Sequence, residues 1–338
     1  MQAFEWANAK TAADAVRLLG PGAAADYDET FRPIGGGQDL HTTLKAYIHR
    51  PARVVNLKTI PDAGKITVDG NSLILGATAT LTEIETHPEV IRQAPGLAES
   101  IHSVATPQIR NFGTIGGNLC QRPRCWYFRL EEVKCLKRGG DTCYAKEGEN
   151  KYLAAFGTDA PCVITKPSDP AQVLVALNAV VNVLGPKGER QINAGEFFRM
   201  PTTDDPRREN VLAADEIITS IRVPLGQLAA KSTYLKFKER ESLDFAMASV
   251  AAAVDADGAL TVRSARVVLG GVAPVPWALP AVDAFLAGET LDEATIARAA
   301  EMAIEGAKPL SQTRYKLPLV RTLVQRSLTK LARSILET

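Results

Sequence analysis

Apolar residues first recur at helical spacing in Ala12, Val16 and Leu19, with Thr11 placed to cap the helix and Gly20 to stop it. The period then changes. Residues 31–34 form a short extended run that ends in Gly35-Gly36-Gly37. Residues 38–47 suit a helix and 53–57 a buried strand, so the unit reads strand, glycine loop, helix, strand. Residues 66–68 and 73–75 flank Asp69-Gly70 and predict a hairpin, lengthened by Asn71 and Ser72. Helices are expected near 80–91 and 95–104. Periodicity then fails from Thr106 to about Pro170. Such a long irregular segment usually carries function or a stabilising ligand.

Regular patterning resumes with a helix over 171–178 and a strand over 180–184 that turns at Gly185-Pro186-Lys187-Gly188. After a polar loop, 201–210, comes a strand over 217–223 that ends at Pro224. Residues 225–232 read as a domain boundary. Beyond them, 248–254, 260–263 and 265–269 are strand-like, and helices are expected near 279–287, 291–305 and 318–336. The pattern predicts a small α+β module with a three-stranded sheet.

Composition adds mainly exclusions. Lys plus Arg number 39 and Asp plus Glu 38, a net charge of +1 over 338 residues. No global field therefore steers the chain toward nucleic acid or an anionic membrane. The length suits two or three domains. No stretch approaches ~18 uninterrupted apolar residues, which excludes a spanning helix and membrane insertion. Residues 1–6 have neither the basic nor the apolar region of a signal peptide. The expected location is cytoplasmic, or periplasmic if a partner's twin-arginine signal exports the folded complex.

Two glycine clusters carry candidate chemistry. The first is Ile34-Gly35-Gly36-Gly37-Gln38-Asp39-Leu40. Its successive N–H groups can form a nest for phosphate, although it has neither the Lys-Ser/Thr of a P-loop nor Gly-x-Gly-x-x-Gly. A tight structural turn is the competing reading. The second is Arg110-Asn111-Phe112-Gly113-Thr114-Ile115-Gly116-Gly117-Asn118, with Thr and Asn side chains added to the backbone donors. Together they suit one extended ligand, such as a dinucleotide, bridging two subdomains.

All five cysteines lie between residues 120 and 162, spaced Cys120-x4-Cys125-x9-Cys135-x7-Cys143-x18-Cys162. No Cys-x2-Cys pair occurs, which is a poor match for a zinc ribbon or finger. A disulfide framework needs an oxidising compartment. Cysteines serving as small core hydrophobes do not explain the confinement. His41, His49, His87 and His102 are scattered and fit no metal motif.

At the two glycine loops the chain resembles the FAD-binding (medium) subunit of the xanthine dehydrogenase and aldehyde oxidase family of molybdenum hydroxylases. The likeness continues, in family order, through Pro167-Ser168-Asp169-Pro170, Asp215-Glu216-Ile217-Ile218, Ile221-Arg222-Val223-Pro224, Phe245-Ala246-Met247-Ala248-Ser249-Val250-Ala251 and Leu269-Gly270-Gly271-Val272-Ala273-Pro274. It covers almost the whole chain.

The resemblance implies an α+β protein with a two-subdomain FAD-binding domain over 1–228 (subdomains about 1–60 and 61–228) and a C-terminal α+β domain over 229–338. FAD contacts would fall on Ile34, Gly35, Gly36, Gly37, Gln38, Asp39 and Leu40. Others would fall on Thr106, Gly113, Thr114, Gly116, Gly117, Asn118, Asp169, Ile217 and Lys236. Asp169 has an alternative reading as a helix cap, and Lys236 one as a solvated surface lysine.

A minority of the family, including 4-hydroxybenzoyl-CoA reductase and a bacterial aldehyde oxidoreductase, has an inserted loop after Gly-Gly-Asn that holds a [4Fe–4S] cluster. The matching loop here is 119–165. In the reductase type the fourth ligand falls at the position of Tyr152. In the aldehyde oxidoreductase type it matches Cys162, which this chain resembles more closely. The implied ligands are Cys125, Cys135, Cys143 and Cys162, leaving Cys120 beside the flavin. Arg122, Arg124, Arg129, Lys134, Lys137 and Arg138 make the loop basic, either to tune or dock, or as a solvated face balanced by Glu131, Glu132 and Asp141. Trp126, Tyr127 and Phe128 are expected to cover the cluster or fill an interface.

The implied activity is that of an oxidoreductase subunit in a heterotrimer with a large molybdenum-cofactor subunit and a small subunit carrying two [2Fe–2S] clusters. Electrons from aldehyde oxidation would pass to FAD and on to an external acceptor. The reductive direction, with ferredoxin feeding an aryl-CoA reductase, is the alternative. No residue here would be catalytic toward the organic substrate.

Overall fold

Thr11 accepts from the Asp14 amide and Gly20 ends the helix Ala12–Leu19, so the first element forms where its spacing and caps direct it. This computed structural model describes residues 1–23 and 29–337. The helix lays Ala15, Val16 and Leu19 over Val55 and Ile217. Beside it is a three-stranded parallel sheet, with Arg53–Asn56 between Glu5–Asn8 and Arg32–Ile34. The glycine loop leaves the end of Arg32–Ile34 and enters the helix Leu40–Lys45.

The second sheet has five strands in the order Ile66–Asp69, Ser72–Gly76, Ile217–Pro224, Val180–Gly185, Gly188–Asn193, each pair antiparallel. Gly188–Asn193 was expected only as far as its turn. Among its residues only Ile192 is buried, so this edge strand has no apolar alternation to read. The helix expected over 80–91 is two helices, Leu81–Glu85 and Pro88–Gln93, because Pro88 cannot donate within a helix but suits the start of one.

The C-terminal sheet corrects the expected strand count. It has four strands, not three, in the order Trp277–Ala278, Val262–Gly270, Ala248–Ala256, Ser232–Phe237. Of the runs 260–263 and 265–269, residues 262–263 and 265–269 belong to one strand, Val262–Gly270, that runs through Ser264, while Leu260 and Thr261 precede it; Ser232–Phe237 pairs along the other side of Ala248–Ala256. Side chains alternate across this sheet. Val250, Ala252 and Val254 face the core under the long helix Lys316–Leu336, while Ala251 and Ala253 join the core of the preceding domain. Two cores thus lie on opposite faces of one sheet.

From Cys120 to Ser168 there is no strand and only two short helical segments, Trp126–Arg129 and Leu136–Arg138. This segment is pinned at its far end by the C-terminal module. The Ala155 and Phe156 amides both donate to the Val272 carbonyl, and the Lys166 amide donates to that of Ala273. No helix among the described residues is long and apolar enough to cross a membrane.

Candidate cofactor cleft and cysteine pocket

The two glycine loops meet face to face. A Cβ at Gly36 would lie 1.8 Å from the Phe112 carbonyl oxygen, and one at Gly35 2.4 Å from Thr114 Oγ1. Gly37 has φ of +71°, a left-handed conformation that glycine adopts without strain. The structural and ligand readings of the first loop therefore coexist: glycine permits the loop contact and also leaves backbone donors uncovered. Among the described residues no group accepts from the N–H groups of Gly35, Gly36, Gly37 or Gln38. Gly35, Gly36 and Gly37 are half-buried and Gln38 is exposed, so these amides are open to the cleft, and a row of them forms a nest for an anion.

These residues line a cleft of 390 Å³, within the ~300–1,000 Å³ range of cofactor sites. Ile34, Gly35, Gly36, Gly37, Gln38, Asp39, Leu40, Gly113, Thr114, Gly117, Asn118, Asp169 and Lys236 are all on its wall. Three expected contacts are not. Thr106 caps the short helix Pro107–Arg110 just behind Ala105. Gly116 faces the Ala77 carbonyl across a gap too small for a side chain. Ile217 lies in the core under Ala12–Leu19. Wall residues not singled out in advance include Arg122, Arg124, Leu243 and Phe245. Phe245 stood in a quoted motif, and Arg124 adjoins Cys125.

Asp169 is the first residue of the helix Asp169–Ala176 and does not act as its side-chain cap. Its two oxygens accept from Tyr234 Oη at 2.6 Å and Lys236 Nζ at 2.8 Å. Burial, with this carboxylate beside it, keeps Tyr234 protonated by raising its pKa well above 10. Lys236 also donates to the Ser103 carbonyl at 3.0 Å, so the lysine is a buried, oriented cation rather than a solvated one. Ser168 donates to Asn118 Oδ1 at 2.6 Å, which fixes the Asn118 side chain on the wall.

Asp39 reaches out of the first glycine loop into the cysteine segment. Its oxygens accept from the Arg122 amide at 2.7 Å, Arg124 at 2.6 Å and Arg129 at 2.9 Å. Burial raises its pKa, but the arginines and the Arg122 amide outweigh that and hold it below 3.8. Its carboxylate is thus committed to protein donors.

Cys125, Cys135, Cys143 and Cys162 line one pocket with Phe128, Leu136, Leu153, Val163 and Ile164. Cys120 lines the cleft instead. Burial disfavours the thiolate at each of the four, and the amide two residues on acts against it: Tyr127 for Cys125, Lys137 for Cys135, Ala145 for Cys143 and Ile164 for Cys162. The Phe128 and Arg138 amides donate to the Cys125 and Cys135 carbonyls at 3.1 and 2.8 Å and favour those two thiolates in the same direction. Cys143 and Cys162 interact in this pocket, which favours the thiolate at Cys143 and the thiol at Cys162. Among the described residues no three side chains converge as ligands of a single ion would. Four cysteine thiols in one apolar pocket are a donor set suited to an iron–sulfur cluster, in which the thiolates bind different irons.

Several of the basic residues nearby are held inside the protein, while Lys134 is exposed. Arg122 and Lys137 pair with buried Glu209 at 3.0 and 2.7 Å. Lys137 also donates to the Pro206 carbonyl, and Arg138 to those of Glu131 and Val133. Lys166, fully buried and lowered to about 8 by that burial, holds the Leu119 carbonyl at 2.7 Å. His49 lies buried between Arg32 and Arg122. Burial and these cations keep it neutral. Phe128 covers the pocket, whereas Trp126 is half exposed and lies against Tyr152.

Residues 2–226 match the family described as FAD binding domain in molybdopterin dehydrogenase, and residues 232–331 that described as CO dehydrogenase flavoprotein C-terminal domain. The chain is 35% identical over 289 residues to the aldehyde oxidoreductase FAD-binding subunit PaoB of Escherichia coli K12, covering 85% of this chain and 86% of that one. It is 26% identical over 329 residues to the carbon monoxide dehydrogenase medium chain of Hydrogenophaga pseudoflava, covering 96% of each. The solved carbon monoxide dehydrogenase from the same organism superposes with a TM-score of 0.76 at 25% identity, over 98% of both chains.

Proposed function

We propose a function from the premise that this chain belongs to the FAD-binding flavoprotein subunits of the molybdenum hydroxylase family. It is the FAD- and [4Fe–4S]-containing electron-transfer subunit of a heterotrimer, with a large molybdenum-cofactor subunit and a small subunit bearing two [2Fe–2S] clusters. Electrons from aldehyde oxidation reach an external acceptor through it. The observation that carries this reading is the gathering of four cysteine thiols into one apolar pocket beside the glycine-lined cleft.

FAD, when bound, supplies the two-electron and one-electron chemistry. The chain supplies position and charge. N–H groups of Gly35 to Gln38 hold the diphosphate without a formal cation. Asn118, fixed by Ser168, and the Lys236–Asp169 pair present polar groups to the rest of the cofactor. Cys125, Cys135, Cys143 and Cys162 hold the cluster, and Phe128, Leu153 and Ile164 keep water from it. Purified protein should contain one FAD and four irons per chain, with flavin absorbance over a broad iron–sulfur shoulder. A folded, iron-free, colourless protein would overturn the reading.

The cleft gives a separate expectation. Gly36→Ala forces a methyl into the Phe112 carbonyl, so the loops must part. FAD retained after gel filtration is expected to fall at least ~10-fold, the effect of ~1.4 kcal/mol.

A further inference from the structure

We propose that filling of the four-cysteine pocket and binding of FAD are thermodynamically coupled, and that Asp39 is the positioning residue that carries the coupling. The inference rests on the cofactor reading above and adds a dependence between the two sites.

The cysteine segment has little structure of its own. Between Cys120 and Ser168 it makes no strand, and its four pocket thiols are spread from residue 125 to 162. Joining them through one cluster closes every loop in that span, so ligand-bond energy there is largely folding energy. The same segment is also a wall of the cleft. Cys120, Gln121, Arg122 and Arg124 all line it, and Arg124 immediately precedes Cys125.

Asp39 spans the seam. It stands on the glycine loop, and its carboxylate takes three donors from the other side, the Arg122 amide and the Arg124 and Arg129 side chains. Arg129 in turn holds the Pro123 and Arg122 carbonyls at 2.7 and 3.0 Å and Thr42 Oγ1 at 3.2 Å. The wall beside the cleft and the turn that leads into the first pocket cysteine are therefore oriented by one carboxylate. A ligand that orders either side lowers the cost of ordering the other, and the effect is reciprocal: each tightens the other's binding by the same factor.

The test titrates FAD, followed by its fluorescence, into the full-length protein in two states. One is reconstituted with iron and sulfide, the other stripped of iron by a chelator under anaerobic conditions. The stripped form is expected to bind FAD about 10-fold more weakly, within the ~5–150-fold range of coupling between sites. Bound FAD should slow iron loss to the chelator. In Asp39→Asn the ratio between the two states is expected to collapse toward one. If Asp39→Asn weakens both states equally and keeps the ratio, Asp39 acts directly on FAD and the assignment is wrong. Should that variant not fold, Arg129→Gln, which is off the cleft wall, carries the same test, and an unchanged ratio overturns the Asp39 assignment. A parent that binds both iron and FAD with a ratio of one overturns the coupling alone. A parent that binds neither, or only one, overturns the cofactor reading and the coupling with it.

Discussion

Replacing any one of Cys125, Cys135, Cys143 or Cys162 by Ser is expected to reduce bound iron from about four per chain to near zero, whereas Cys120→Ser retains it. The four share one pocket and Cys120 faces the other cavity. A serine hydroxyl is a harder, far less acidic ligand than a thiolate, and cuboidal clusters are held by four thiolates. The amides of Tyr127, Lys137, Ala145 and Ile164 that favour the thiolates cannot compensate for a missing iron bond. Iron analysis and absorbance above the flavin bands read the outcome. Loss of the cluster in Cys120→Ser together with its retention in Cys162→Ser would reassign the ligands.

Glu209→Gln is expected to destabilise the protein by about 3–5 kcal/mol, the usual cost of removing one partner from a buried ion pair. Glu209 is almost fully buried, and its two oxygens face Arg122 and Lys137, themselves buried. The substitution keeps the shape and leaves two cations without a counter-charge. Burial alone would raise the Glu209 pKa, but Arg122, Lys137 and Lys166 together hold it below 4.5. The sign follows from linkage: a carboxylate with a depressed folded pKa contributes stability above its unfolded value, and that contribution is lost as pH falls through the folded value. The parent and Glu209→Gln should therefore differ fully in urea midpoint above pH 4.5 and converge below it. A midpoint unaffected at pH 7 would show that the ion triad contributes nothing net.

Much of the arrangement follows from local spacing. The Asp69-Gly70 hairpin forms with Val68 opposite Leu73, because turn chemistry and β-rich flanks are contiguous in the chain. Thr11 caps its helix for the same reason. The edge strand Gly188–Asn193 was illegible beyond its turn, since a strand with one buried residue has no alternation. The strand Ser232–Phe237 was hidden in a stretch read partly as a linker.

Sequence by itself determined most of the helices and strands in their order, the two glycine loops and the confinement of the cysteines, all properties of neighbouring residues. Only the tertiary structure decided what those features touch. It carried Ile217 away from the cleft and gave Asp39 to the arginines of the cysteine segment. It also drew Glu209 out of the polar loop 201–210 to neutralise Arg122 and Lys137. The reason is physical: a buried charge is acceptable only opposite another. Partners 70 to 90 residues apart, as Asp39 and Arg129 or Lys137 and Glu209 are, leave no periodic mark on the chain between them.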